Sequence, residues 1–390
     1  MKKRQLAIIG AGPIGLEAAL AAPRDDYDLT VFERGEIGAS IVCWGHVRMF
    51  SPFGMNSSAA GRGLLAANGI AAPPCDALLT GREFVERYLA PLAAKLDARI
   101  ETGVEVVAIT RAGAGKMDHI AQPQRGATPF RLLLRRGHVE RFEEFDLVLD
   151  CSGTFLSPNP LGDGGIAALG ETAVKERIAY GIAAASNGAY PDAGRFLVVG
   201  GGHSAATVVR DLARIPAREI TWVVRRAVSL PCTRIADDPL MERDRLATEA
   251  NALARRIDFR PGTAVHEVRS DGNGFVVVLK QSGKPREPTA IHVDHIIAAT
   301  GFRPDPALTR ELQVQTCWAT EGTYKLAAAL LGSTGGDCLA VPAFGAETLL
   351  HPEPGYFALG MKSYGRAPDF LIKTGLEQIR ALFEWLRTSR

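Results

Sequence analysis

Two apolar strands, each followed at once by a glycine-rich turn and a helix-forming stretch, constrain the fold of this chain more than any other feature. Residues 6–9 are apolar, residues 10–15 read Gly-Ala-Gly-Pro-Ile-Gly, and residues 16–22 are strong helix formers. The arrangement recurs at residues 195–199, where Arg195 and four apolar residues precede Gly-Gly-Gly-His-Ser-Ala at 200–205. Short apolar strands that alternate with helices are typical of parallel sheets buried on both faces. The sequence therefore predicts an α/β fold with two copies of a strand–turn–helix unit.

The first glycine turn has the spacing that a dinucleotide diphosphate requires. Gly10 permits a tight turn, Gly12 lets the backbone approach phosphates, and Gly15 lets the helix pack closely on the strand. The next strand ends in Glu33, whose carboxylate can accept hydrogen bonds from ribose hydroxyls and repels a 2′-phosphate. Strand, helix and acid together disfavour an ordinary glycine turn. The predicted contacts of this first dinucleotide are Gly10, Gly12, Pro13, Ile14, Gly15, Glu33 and Arg34.

The second glycine turn has the same spacing but a different strand end. The strand after it is followed by Arg225 and Arg226, and arginine at this place can bind an adenosine 2′-phosphate. The alternatives are that both arginines only decorate a loop and that His203 caps the helix instead of touching the nucleotide. We expect FAD at the first turn and NADPH at the second, with hydride passing from the nicotinamide to flavin N5. The predicted NADPH contacts are Gly200, Gly202, His203, Ser204, Ala205, Arg225 and Arg226.

A second internal repeat indicates how the two units follow one another in sequence. Residues 145–153 and 293–301 share an Asp, an apolar strand and a small-polar-Gly turn, and they end at Gly153 and Gly301, where we predict further cofactor contacts. We interpret these segments as the exits of two comparable sheets. The predicted domains are residues 1–155 for FAD, 190–285 for NADPH, and 286–390 for the return to the FAD domain with a C-terminal helix. The predicted fold is thus α/β, with two Rossmann-like three-layer dinucleotide-binding domains and the NADPH domain inserted into the FAD domain.

Charge and composition exclude several classes of protein. The 45 lysines and arginines balance 43 acidic residues, so we expect no nucleic-acid partner. No apolar run reaches the roughly 18 residues that a membrane span needs, and the start lacks a signal-peptide pattern, so we expect a cytoplasmic protein without a membrane partner. The closest two of the six cysteines are 21 residues apart, so paired metal-ligand and dithiol spacings are missing.

The order of motifs along nearly the whole chain resembles that of the flavin-containing monooxygenase group of two-dinucleotide-domain flavoproteins. The motifs are the two glycine turns, Cys43-Trp44-Gly45, Asn56 in Met-Asn-Ser-Ser, residues 88–93, Ala-Thr-Gly-Phe-Arg-Pro at 299–304, and residues 356–361 before a final helix. The resemblance implies that Asn56 lies near the flavin, that Trp44 lines the flavin face, and that the backbone around Val106 meets the adenine of FAD. It also implies that the flavin's pyrimidine edge faces Gly360, Met361 and the loop beginning at Lys362.

The resemblance implies a reaction as well. NADPH reduces FAD, the reduced flavin forms a C4a-hydroperoxyflavin with O2, and one oxygen atom passes to a nitrogen or sulfur atom of a small-molecule substrate. NADP+ and Asn56 would shield the peroxide from water. The chain departs from the group because it is short and lacks the F-x-G-x-x-x-H-x-x-x-[YF] stretch before the second turn. An NADPH-dependent reductase or dehydrogenase without oxygen insertion therefore stays open, as does a non-enzymatic redox sensor, whereas disulfide reductases fit less well without a cysteine pair.

The segment that begins at Trp44 concentrates aromatic and charged side chains in the region expected to cover the flavin. His46 is a candidate proton donor or acceptor, and Arg48 a candidate partner for the reduced flavin or an anionic substrate. The alternative for both is a structural loop. Cys43 and Cys151 are interpreted as buried thiols without a redox role.

Two further expectations concern metals and assembly. His292, Asp294 and His295 resemble metal ligands, but strand alternation places residue 295 on the opposite face, so a structural role is predicted and no metal. A homodimer is a common state for such a protein.

Overall fold

The computed structural model describes residues 2–182, 190–281, 287–332, 339 and 344–389. The chain forms two compact units. The first unit comprises Met1–Val42, Ser51–Ser157 and Arg303–Arg390, and the second comprises Cys43–Phe50 and Pro158–Phe302. The second unit is thus an insertion in the first, and it includes a short segment, Cys43–Phe50, that lies far upstream of the rest of it.

The strands and helices alternate along most of the chain. The strands are β1 (Arg4–Ile9), β2 (Tyr27–Glu33), β3 (Arg99–Thr102), β4 (Glu105–Arg111), β5 (Phe130–Arg136), β6 (Val139–Phe145), β7 (Leu147–Asp150), β8 (Ala179–Tyr180), β9 (Gly194–Val199), β10 (Arg218–Val224), β11 (Asp258–Pro261), β12 (Thr263–Asp271), β13 (Gly274–Gln281), β14 (Thr289–Val293), β15 (His295–Ala298) and β16 (Tyr356–Ala358). The helices are α1 (Pro13–Ala21), α2 (Ala39–Val42), α3 (Phe53–Asn56), α4 (Ala59–Ala67), α5 (Gly81–Phe84), α6 (Ala90–Lys95), α7 (Pro123–Ala127), α8 (Glu171–Val174), α9 (His203–Leu212), α10 (Met241–Leu253), α11 (Tyr324–Gly332), α12 (Met361–Tyr364) and α13 (Ile372–Thr388).

The first unit is built on a five-stranded parallel sheet with the order β16-β7-β1-β2-β3. One face of this sheet, including Ala7 and Ile9, shares a buried cluster with Phe130 and Leu132 of the antiparallel sheet β4-β5-β6. On α1, residues 14–19 are all buried, and this helix packs against α13. Because β1 is buried on both faces, its apolar residues are continuous rather than alternating, as the sequence predicted.

The second unit repeats this plan. Its parallel sheet has the order β11-β10-β9-β15-β8, and its antiparallel sheet has the order β12-β13-β14. Side chains of β9 alternate between two cores, because Phe196 and Val198 pack with α9 and α10 while Leu197 and Val199 pack with β12 and β13. Helices, parallel sheet and antiparallel sheet therefore form three layers, which confirms the predicted fold class.

An aspartate at the end of the antiparallel sheet makes the same bonds in both units. In the first unit, Gln5 N donates to Asp146 Oδ2 at 2.8 Å and Asp146 N donates to Gln5 O at 2.8 Å. In the second, Arg195 N donates to Asp294 Oδ2 at 2.8 Å and Asp294 N donates to Arg195 O at 2.8 Å. Hydrogen bonds from Arg195 also lower the pKa of Asp294 to about 2. The repeat of residues 145–153 at residues 293–301 therefore corresponds to the same pair of hydrogen bonds in both units.

A search of the described residues for membrane-spanning helices finds no helix with the length and apolar character needed.

Candidate functional site

The first glycine turn joins β1 to α1, and two of its glycines, Gly10 and Gly15, leave no room for a side chain. Gly10 has φ +98°, and a Cβ there would lie 2.7 Å from Cys151 O. A Cβ at Gly15 would lie 1.8 Å from Gly10 O. At Gly12, by contrast, a Cβ would meet nothing within 4 Å, so the turn is open on that side.

This open side fits a diphosphate. The first backbone N–H groups of a helix lack intrahelical partners and carry partial positive charge, and α1 has no side-chain N-cap and no acid in its first turn. Pro13 has no N–H to contribute, and Leu16 N donates to Gly12 O at 3.1 Å, so Ile14 and Gly15 supply the first-turn donors. An anion is the ligand that such a turn accepts.

Glu33 lies at the end of β2 beside the turn. Its carboxylate accepts hydrogen bonds from Ala11 N and Gly35 N, both at 2.8 Å. Each carboxylate oxygen has more than one acceptor position, so Glu33 can also accept from a ribose hydroxyl. Arg34 beside it is exposed, and Val106 lies half-buried at a bulge of β4.

The C-terminal segment reaches the same turn. Gly360 has φ +65°, and a Cβ there would lie 2.9 Å from Ile14 Cγ1, while a Cβ at Gly375 would lie 2.3 Å from Ile14 Cδ1. Gly360 N donates to Gln378 Oε1 of α13 at 2.9 Å. The structure therefore places Gly360 and Gly375 against Ile14 of the first glycine turn. That Gly360, Met361 and Lys362 face the flavin stays a prediction.

A buried ion pair lies at the end of β7, just before Gly153. Lys362 Nζ lies 3.5 Å from Asp150 Oδ2, and it donates to Ser152 Oγ at 3.3 Å and to Asp305 O at 3.1 Å. Tyr356 OH donates to Asp150 Oδ2 at 2.8 Å. Burial opposes ionisation of Asp150, but Lys362 and the hydrogen bonds from Ser152 and Tyr356 outweigh it, so the pKa of Asp150 lies below its usual value. Asp150 and Tyr356 were missed in the sequence, although an acid that ends an apolar strand is a usable signal.

Asn56 is buried at the end of α3 with its carboxamide held in one orientation. Its Nδ2 donates to Ser51 O at 3.0 Å, and its Oδ1 accepts from Ser51 Oγ at 2.9 Å. Because a carbonyl oxygen only accepts, the contact with Ser51 O fixes which end of the amide is Nδ2. Ser51 was also missed, because its role appears only when both contacts are seen.

The second glycine turn reproduces the first. Gly200 has φ +138°, and a Cβ there would lie 2.2 Å from Ala299 O, while a Cβ at Gly202 would meet nothing within 4 Å. Helix α9 begins at His203, so the turn offers the same open helix N-terminus to a diphosphate. Ser204 is exposed, Ala205 is buried against the sheet, and Gly301 has φ +83° after β15.

Arg225 and Arg226 follow β10 directly, and both are exposed. A buried ion pair acts on His203, the first residue of α9, and in this pair Arg243 Nε donates to Asp238 Oδ2 at 2.6 Å. Burial lowers the pKa of His203, and Arg243 lowers it further against the opposing effect of Asp238. The pKa of His203 therefore lies below its ordinary value, which favours the neutral imidazole.

Trp44, His46 and Arg48 belong to the second unit, although the sequence analysis placed them over the flavin. His46 Nε2 lies 3.2 Å from Asp211 Oδ2 of α9, and Asp211 is buried. Sequence reasoning missed Asp211, although an acid on the apolar face of α9 is a signal that it has a partner. Trp44 is half-buried and Arg48 is exposed.

The cysteines and the suspected metal ligands have other roles. Cys43 is exposed, contrary to expectation, whereas burial raises the pKa of Cys151 well above its usual value. His292 pairs with Asp271, and His295 stacks on Phe196. Within the part of the chain that the structure describes, no three His, Cys, Asp or Glu side chains are placed to hold a metal ion.

Comparisons with known proteins identify the family of the chain and the folds that it resembles. The family model for pyridine nucleotide-disulphide oxidoreductases matches residues 4–323. A bacillithiol disulfide reductase from Bacillus cereus has a TM-score of 0.71 at 16% identity, with 100% of both chains covered. An ornithine N-hydroxylase from Kutzneria sp. 744 has a TM-score of 0.65 at 16% identity, again with 100% of both chains covered. A flavin monooxygenase mutant from Stenotrophomonas maltophilia has a TM-score of 0.62 at 20% identity, with 100% of both chains covered.

No curated protein matches the chain. At identities this low, the likeness to solved structures establishes the fold alone.

Proposed function

We propose that this chain, which belongs to the pyridine nucleotide-disulphide oxidoreductase family, is a monooxygenase that uses FAD and NADPH to insert one oxygen atom of O2 into a small molecule. The acceptor atom is a soft nitrogen or sulfur nucleophile. At the coarser level, the chain is a flavin-dependent oxidoreductase that binds FAD and a pyridine nucleotide.

Each cofactor has its own glycine turn. Gly10, Gly12 and Gly15 hold the FAD diphosphate at the start of α1, and Glu33 accepts from the ribose hydroxyls. Gly200 and Gly202 hold the NADPH diphosphate at the start of α9. The other residues that contact NADPH are His203, Ser204, Ala205, Arg225 and Arg226. Bound FAD supplies hydride acceptance from NADPH and the activation of O2.

The observation that carries the proposal is the state of the cysteines. The five described cysteines are all free thiols, and Cys151, the one beside the first glycine turn, has a pKa raised by burial. The thiolate is the nucleophile in thiol–disulfide exchange, so a thiol held protonated cannot begin it. This argues against thiol–disulfide exchange beside the first glycine turn and for chemistry carried out there by the flavin itself. Cys338 lies outside the described residues.

Asn56 supports oxygen insertion over simple reduction. Its carboxamide is buried and oriented by Ser51, which gives the first unit a fixed hydrogen-bonding group. A fixed, water-poor hydrogen-bonding group is what a reactive oxygen species needs to survive until substrate reacts. Trp44, His46 and Arg48 stay proposed site residues, but as members of the second unit.

A reductase without oxygen insertion is the second candidate. The missing F-x-G-x-x-x-H-x-x-x-[YF] stretch before the second turn favours it. Such an enzyme would pass electrons from NADPH through FAD to a quinone, an imine or a metal-type acceptor.

Isotopically heavy O2 separates the two candidates. The FAD-loaded protein is supplied with NADPH, heavy O2 and a panel of amines and thioethers, and products are analysed by mass spectrometry. Heavy oxygen in an N-oxide, hydroxylamine or sulfoxide supports the monooxygenase. NADPH consumption that yields only hydrogen peroxide, together with steady anaerobic turnover on a quinone, supports the reductase.

A further inference from the structure

We propose that residues Cys43–Phe50, which we call the strap, form part of the NADPH site, and that His46 is the positioning residue that holds Phe50 against His203. This inference deepens the proposed function and rests on NADPH binding at the second glycine turn. All of the contacts that carry it lie within the second unit.

The strap is fixed to α9 at both ends of the helix. Near the C-terminal end, His46 Nε2 lies 3.2 Å from Asp211 Oδ2. At the N-terminal end, the ring of Phe50 meets the ring of His203 edge-on, with 5.5 Å between their centroids. Eight residues of helix span about 12 Å, and four extended residues span about 13 Å. After a turn at residues 43–46, the part of the strap from His46 to Phe50 therefore spans the length of α9 and runs in the opposite direction.

The strap is packed on the second unit rather than loosely attached. Val47 and Met49 are buried, and Phe50 packs against the core cluster that contains Ala205 and Val209 of α9. The carboxylate of Asp211 has only 3% of its side-chain surface exposed. A buried carboxylate needs hydrogen-bond partners, and His46 approaches its Oδ2 while Arg210 and Arg214 approach its Oδ1.

The N-terminal end of α9 is where the strap meets the nucleotide turn. His203 is the first residue of α9 and follows Gly202, the glycine with open space beside it. A neutral imidazole at this point can donate a hydrogen bond to a diphosphate oxygen. The edge contact with Phe50 restricts rotation of the His203 ring. Phe50 therefore preorganises the imidazole N–H for nucleotide binding.

His46→Ala in the full-length, FAD-loaded protein tests this inference. We expect the dissociation constant of NADP+, measured by titration calorimetry, to rise roughly tenfold. The reason is that His203 would lose its hydrogen bond to the diphosphate, and a hydrogen bond to a charged group contributes about this factor. The KM for NADPH should rise with it, while the rate of flavin reduction at saturating NADPH changes little. His46→Gln, whose amide nitrogen can still reach Asp211, should restore most of the affinity, and FAD binding should not change.

The chain offers a matched control. His292 Nδ1 lies 3.1 Å from Asp271 Oδ2 in the same unit, in a pair of similar length whose two side chains are both 57% exposed. His292→Ala should leave the NADP+ affinity unchanged. If His46→Ala folds poorly, Phe50→Leu keeps the apolar volume, removes the aromatic edge and should still weaken NADP+ binding severalfold.

The outcomes separate this inference from the proposed function. An unchanged NADP+ affinity in folded His46→Ala and Phe50→Leu proteins overturns the role of the strap, as does a lowered melting temperature without any change in affinity. A wild-type protein that binds FAD but no NADP+ overturns the proposed function itself.

Discussion

Asp150 keeps its charge in a fully buried position because Lys362 lies beside it. The side chain of Asp150 is 0% exposed and that of Lys362 is 9% exposed. Removing one member of such a pair leaves the other charged and desolvated, which costs far more than the intact pair contributes. The pair joins the end of β7 to the turn at α12, the two segments that flank Gly153 and Gly360.

Asp150→Asn should therefore lower the free energy of unfolding by about 3–5 kcal/mol at pH 7. The folded-state pKa of Asp150 is depressed, so its contribution is present above the unfolded pKa of about 4 and is lost as the pH falls through the folded pKa. Urea unfolding between pH 7 and pH 3 should show this acid-dependent loss in wild type and less of it in Asp150→Asn. The double variant with Lys362→Met should recover part of the lost stability.

A surface pair provides the control. Arg82 and Glu86 are 3.9 Å apart on consecutive helical turns, with side chains 57% and 62% exposed. Glu86→Gln should change stability by no more than about 0.5 kcal/mol. An equal effect of the two substitutions would show that burial of Asp150 is not the cause.

At the scale of elements, each glycine turn combines positions that are tightly packed with one position that faces open space, where we propose that the ligand binds. Gly10 and Gly15 are in contact with backbone, whereas Gly12 faces open space. The same division holds for Gly200 and Gly202 in the second unit. Substitution can therefore separate folding from binding within six residues.

Gly12→Ala should fold normally, because Gly12 has φ −82° and a Cβ there would meet nothing within 4 Å. Its FAD affinity should nevertheless fall at least tenfold, because the added methyl group enters the space proposed for the diphosphate. Gly15→Ala should lose about 3 kcal/mol or more of stability, because the helix must move away from Gly10. Gly63→Ala, also free of neighbours but remote in α4, should retain FAD and gain about 0.5–1 kcal/mol. Fluorescence titration of apoprotein with FAD and urea unfolding measure both effects. Normal FAD affinity in Gly12→Ala would contradict the assignment of the turn.

The sequence alone predicted those features of the fold whose signal lies within a short stretch of residues. The glycine turns, the helices α1, α9 and α13, and the repeat that contains Asp146 and Asp294 all follow from short stretches, and so does the family relationship. The rest depends on contacts between distant residues, such as Ser152 with Lys362, 210 residues apart, or His46 with Asp211, 165 residues apart. No periodicity marks such a pair, because each partner alone looks like an ordinary polar residue.

At the scale of the whole molecule, the two units share one plan and differ in the residues that follow or end the second strand of each parallel sheet. Both have a five-stranded parallel sheet, a three-stranded antiparallel sheet and a glycine turn against the backbone of an exit strand. The first places Glu33 after the turn and the second places Arg225 and Arg226. The nucleotide preference that we propose for each unit therefore depends on a few residues.

Hydrogen exchange on the FAD-loaded protein should report the units separately. NADP+ at one hundred times its dissociation constant stabilises the state that binds it by about 2.7 kcal/mol, so exchange through opening of that unit should slow up to about a hundredfold. Protection is expected in peptides covering residues 200–206 and also 44–50, with little change at residues 10–16. Protection of 10–16 to the same extent as 200–206 would contradict separate responses.

The strap also limits how this protein can be taken apart. A gene fragment that encodes Pro158–Phe302 contains every strand and helix of the second unit but not Cys43–Phe50. Such a fragment has Asp211 without His46 and a core without the ring of Phe50. The second unit is therefore not encoded by one continuous segment of the gene. An exchange of this unit between relatives must transfer both gene segments together.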